Sequence, residues 1–72
     1  MQKFFFDMID GVPFRDRIGI DFNGNLDAIA HCKDLAQHFR DDSLRDDQDL
    51  EISVVNAVGW EIHREFVHRV SQ

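Results

Sequence analysis

A chain of 72 residues has room for one domain and no second, and so short a domain buries only about 60% of the surface its unfolded form exposes. Fourteen acids against eight scattered bases give a net charge of −6, which argues against nucleic acid, since affinity for it comes mainly from neutralising phosphates. The single cysteine, Cys32, excludes an internal disulfide and suits a reducing compartment, and no run approaches the ~20 apolar residues of a membrane span.

The opening, Met1 to Asp7, carries one base and three rings, and Asp7 and Asp10 cut the apolar run well below a secretion signal. A cytoplasmic location is therefore predicted. Lys3 to Ile9 reads as a strand, with Phe4, Phe6 and Met8 on one face and Phe5, Asp7 and Ile9 on the other. Asp10-Gly11 is a two-residue hairpin turn in this reading, because both positions tolerate positive φ. Val12 to Arg15 returns as a short strand, and Pro13, lacking an N–H, makes it an edge.

Asp16 to Gly19 reads as a turn closed by glycine, followed by an extended piece, Ile20-Asp21-Phe22, that Asn23-Gly24 breaks. Asn25 is placed to cap a helix over about Leu26 to Arg40, with Asp27 in the first turn where the helix dipole favours an anion. At 100° per residue Ala28, Ile29, Cys32, Leu35, Ala36 and Phe39 fall in one arc, and Asp27, His31, Asp34, Gln37, His38 and Asp41 lie opposite. Residues 40–49 form a charged connector. It fails the calcium-loop template, with Asp46 at the glycine position and Ile52 at the bidentate glutamate position.

Leu50 to Val55 is the third strand of this reading, with Leu50, Ile52 and Val54 inward. Asn56 to Gly59 turns, and Trp60 to about Val70 is the fourth. Trp60, Ile62, Phe66 and Val70 share a parity with Arg64, so either Arg64 sits at the sheet margin or a bulge near it shifts the register. The order strand, strand, helix, strand, strand gives an α+β fold, ββαββ, with one helix on one face of a four-stranded, mostly antiparallel sheet. The predicted strand order is second, first, third, fourth.

One helix covers one face, so the other is predicted to be bare. Phe5, Ile9, Val55 and Val67 are assigned to it and form a candidate interface. For so short a chain core burial and ordering entropy nearly cancel, and a homodimer or a protein partner would relieve the marginal monomer. The expected function is a non-catalytic interaction or regulatory accessory module. The alternative is a small metal-binding protein using His31, Asp34 and His38, whose spacings of three and four bring neighbours within reach, although the outer pair lies two turns apart. A third reading binds nucleic acid through Arg64 and Arg69, with His63 and His68 assisting. No Gly-rich phosphate loop and no Gly-x-Ser-x-Gly elbow is present, and no catalytic residue or cofactor is assigned.

Phe4-Phe5-Phe6-Asp7, Asp10-Gly11, Arg15-Asp16 with Gly19, and Asp27-Ala28 opening the helix resemble a bacterial family of short acidic proteins of unknown function. The likeness continues to Gly59 in the last hairpin and so covers most of the chain. It implies a stand-alone ββαββ domain and carries no activity, cofactor or site residue with it.

Overall fold

The structure is a computed structural model that describes residues 1–41 and 50–67. Its elements are β1 (Gln2–Asp10), β2 (Val12–Phe14), β3 (Ile20–Phe22), α1 (Asn25–Asp41), β4 (Glu51–Val55) and β5 (Glu61–Phe66). The sheet runs β2-β1-β4-β5 with every pair antiparallel, as the sequence order predicted, and is not closed. It gains a fifth strand, because Ile20–Phe22 is not merely extended but pairs with Gln2–Phe4 as β3. The charged connector lies outside the described residues apart from Arg40 and Asp41, as does the predicted end of the last strand.

β2 and β3 are successive pieces of one returning chain. Met8 faces Phe14 and Phe4 faces Ile20, so four steps along β1 are matched by six on the return. Asp16 repairs the resulting gap. Its carboxylate accepts the Phe6 N–H (3.1 Å), which has no backbone partner there, and the N–H groups of Ile18 (2.9 Å) and Gly19 (3.2 Å). The Asp16 N–H in turn donates to Asp7 Oδ1 at 2.9 Å. Gly19 has a φ of +77°, and an added Cβ would sit 3.0 Å from the Phe4 carbonyl oxygen, so glycine is required twice over.

At the first hairpin only Gly11, at φ +76°, takes a positive φ, and Asp10 faces Val12 directly across it. The turn is thus centred on the glycine alone rather than on Asp10-Gly11. The helix boundary shifts similarly: the Gly24 carbonyl accepts the Ala28 N–H, which makes Gly24 the cap residue in place of Asn25.

The core lies between α1 and the sheet. The helix contributes a stripe of small side chains, Ala28, Cys32 and Ala36, four residues apart on one face. The strands contribute the volume through Phe4, Phe6, Leu50, Ile52 and Val54. Small residues on the helix let its axis approach the sheet closely enough for those larger groups to be sealed. At β5 a register irregularity settles the problem of Arg64: Val54 faces His63 while Val55 faces Glu61, leaving Ile62 as an extra residue. The bulge keeps Ile62 against the core and turns Arg64, opposite Ser53, onto the far face.

Candidate interaction surface

The face opposite the helix differs from its prediction. Val67 is fully buried in the helix-side core, its N–H bonded to the Leu50 carbonyl, so it leaves the proposed interface. The cause is the bulge, which reverses the parity of everything after Ile62. Phe5, Ile9 and Val55 do lie on the far face and are half-buried. Phe5 sits opposite Val55, and a cleft of about 190 Å³ beside them is bounded by Arg15, Asp16 and the Asn56–Gly59 turn.

The centre of that face is polar. Ser53, only 4% exposed, donates its hydroxyl to Glu61 Oε1 at 2.6 Å. Arg64 reaches Glu61 through Nη2 (2.8 Å) and Nε (3.0 Å), and Glu51 through Nη1 (2.8 Å). Hydrogen bonds from Ser53 and then Arg64 hold the Glu61 carboxyl below its usual range. With its guanidinium committed to two carboxylates, Arg64 is poorly placed to take a phosphate, and Arg69 and His68 lie outside the described residues.

The helix-face histidines do not converge. His31, predicted on the polar side, packs against Phe6 and Phe22 with ring centroids 5.1 and 5.3 Å away, while Asp34 and His38 are exposed. Its flat, half-apolar ring fills the seam between α1 and β3. Among the described residues no three His, Cys, Asp or Glu side chains gather as a metal site would need. On the same side of the sheet Glu65 is a structural hub: His63 Nε2 donates to it at 2.7 Å, and Lys33 and Arg40 lie 3.5 and 3.6 Å away. The His63 bond, opposed by burial and helped by the Lys33 charge, holds the Glu65 carboxyl low. Cys32 is buried in the core, and burial together with the nearby Glu65 charge pushes its thiol up to about 11. It is an inert packing residue at neutral pH.

Exposed apolar groups remain at the last hairpin, where Val58 and Trp60 are about three-quarters exposed, and at Phe66, but the gathered strip lies elsewhere. α1 packs chiefly on β5, β4 and β3, which leaves the β2 margin of the helix-side face uncovered. Met8 and Phe14 are opposed there, and two adjoining clefts share them. One, of about 320 Å³, runs between β2 and the helix end and is bounded by Asp10, Val12, Phe39 and Leu50. The other, of about 410 Å³, reaches Phe6, Ile18, Arg15 and Arg17. Phe14 is 78% exposed, Val12 74% and Ile18 82%. Sequence reading missed this strip because it stopped the alternation of faces at Gly11. Carried through the turn, the parity of Met8 continues to Val12 and Phe14.

Backbone chemistry decides how this margin can be used. The Phe6 N–H points toward it, so Met8 and Asp10 bond to Phe14 and Val12, and Pro13 faces outward where it has no N–H to offer. An added strand would find no donor at Pro13, which favours a partner that engages side chains. The opposite edge is guarded differently. The Val67 N–H points inward to Leu50, which turns the Phe66 backbone outward, and Arg40 takes the Phe66 carbonyl at 2.8 Å and also bonds that of Val67.

No curated protein matches the chain, and no solved structure does. A family model described as "Domain of unknown function (DUF6894)" matches residues 3–67, from the aromatic opening to the last core residue, and the chain belongs to that family.

Proposed function

We propose that this protein is a non-catalytic interaction module, a small accessory or regulatory domain of the bacterial cytoplasm, that docks other protein through the β2 margin. The supporting observation is the strip of Val12, Phe14 and Ile18, each about three-quarters exposed or more, around clefts that share Met8 and Phe14. Apolar side chains gathered so closely at the margin of a domain are characteristic of an interaction site. The far face supports this assignment by contrast, since its central groups already satisfy one another through Ser53, Glu61, Arg64 and Glu51. Among the described residues no helix is long and apolar enough to cross a membrane.

The test is site-specific photo-crosslinking in the native cell. A photoreactive phenylalanine analogue at position 14 is expected to give discrete adducts, whereas the same analogue at Val58, equally exposed on the far turn, gives none. Equal labelling at both positions would remove the β2 margin as the docking surface.

A further inference from the structure

We infer that the occupant of the β2 margin is a second copy of this chain, seated antiparallel to the first across a two-fold axis near Pro13. The inference rests on the interaction-module reading and names its partner. It comes from the order of charges along the strip. Asp10 bounds the cleft at one end, Arg15 and Arg17 bound the adjoining cleft at the other, and Met8 and Phe14 lie between. A surface that reads acid, apolar, base is self-complementary when rotated by 180°, which is the condition for an isologous dimer.

In that arrangement Asp10 of each copy faces the two guanidiniums of the other, and each Phe14 ring lies over its partner's cleft. These charges have no other use: Asp10, Arg15 and Arg17 make no ion pair among the described residues. The remaining described arginines do, Arg40 with Glu65 and Arg64 with Glu51 and Glu61.

The outward-facing Pro13 fits the same geometry. Two β2 strands meeting at a two-fold axis would otherwise fuse into one sheet, and without an N–H at the centre they meet through side chains. The net charge of −6 repels two copies at a distance, but screening over ~8 Å at physiological salt leaves the contact pairs to decide. Three exposed apolar side chains per copy make an interface below the standard ~800 Å² per partner, so the dimer is a weak one.

The experiment is sedimentation equilibrium of the full chain near physiological salt. The wild-type chain is expected to dimerise. F14A is expected to weaken the dimer at least tenfold, as are D10R and R15E/R17E separately, each of which sets like charges against each other. An equimolar mixture of D10R with R15E/R17E restores both contacts and should form a heterodimer. That rescue also shows that both variants fold. A wild-type chain that stays monomeric, or a dimer indifferent to these changes, would overturn the second copy as occupant. Crosslinks from position 14 to a different protein would then keep the interaction-module reading, whereas their absence as well would remove both.

Discussion

The two halves of the sheet solve the problem of exposed polar and apolar groups in opposite ways. In the β4–β5 half, α1 covers the apolar side, and Glu51, Glu61, Arg64, Glu65, Lys33 and Arg40 are joined in ion pairs. In the β1–β2 half, Phe14 and Val12 lie open and Asp10, Arg15 and Arg17 have no ion-pair partner among the described residues. One half has its charges paired within its own chain, although Trp60 and Phe66 stay exposed at its margin. The other carries the same kinds of groups left over, and left-over groups arranged in complementary order are what a binding surface consists of. Stability should therefore be concentrated in the first half and association in the second.

The largest test of that division is a pair of phenylalanines. Phe4 is fully buried, and F4A should cost about 3–5 kcal/mol, near half of the ~7 kcal/mol that roughly 0.1 kcal/mol per residue gives so short a domain. F14A, measured in dilute solution by urea denaturation, should stay within about 0.5 kcal/mol of the wild type. A large loss from F14A in the monomer would mean that the ring packs within its own chain.

Asp16 comes next, as the patch that holds the returning chain to β1 within the β1–β2 half. D16N withdraws a charged acceptor from three backbone N–H groups and should destabilise by about 2 kcal/mol. Its pH dependence gives a sharper signature. Partial burial opposes ionisation of Asp16, but the N–H groups of Ile18, Phe6 and Gly19 outweigh it and hold the carboxyl below its usual value. A lowered folded value means that the unfolded chain takes the proton first as pH falls. The stabilisation is thus complete above the unfolded carboxyl range near pH ~4 and is lost as pH drops through the folded value. D16N should flatten part of the acid limb, and Glu61 and Glu65, held low by their own partners, should preserve the rest.

Two glycines of the β1–β2 half differ at smaller magnitude. G19A must place a side chain at positive φ and within 3.0 Å of a backbone oxygen, which should cost about 1–3 kcal/mol. G11A meets open space, so only the backbone term of about 1 kcal/mol applies. Equal losses would show that the Gly19 loop yields, and with it the tight approach of the returning chain to β1.

Much of this architecture was legible because it follows from periodicity. The alternation of Phe4, Phe6 and Met8, the stripe of Ala28, Cys32 and Ala36, and the inward set Leu50, Ile52 and Val54 all face the core as their spacing requires. What was not legible depends on contacts distant in sequence. No local pattern reveals that Asp16 bridges to Phe6, ten residues away, and so allows Ile20–Phe22 to become a strand. The bulge at Ile62 was visible only as a conflict between Arg64 and its apolar neighbours, and its consequence, the burial of Val67, followed from which way the register slipped. Helical angle alone sends His31 toward water, and the rings of Phe6 and Phe22 that receive it come from two other elements. The apolar margin is hidden for a simpler reason: Pro13 marks Val12–Phe14 as an edge, and an edge position alone does not show which face its side chains take.

The smallest expected effect is the most discriminating. Arg64 bonds to two carboxylates yet lies exposed on the surface, where long charged side chains give back in entropy most of what their contacts gain. R64M should leave the midpoint of urea unfolding unchanged within measurement error, as should R15E/R17E in dilute solution. The two variants part only in the ultracentrifuge, where R64M sediments like the wild-type chain and R15E/R17E loses its dimer. If R64M proved the more disruptive of association, the far face and not the β2 margin would be the surface that meets a partner, and Phe5, Ile9 and Val55 would return as its apolar contacts.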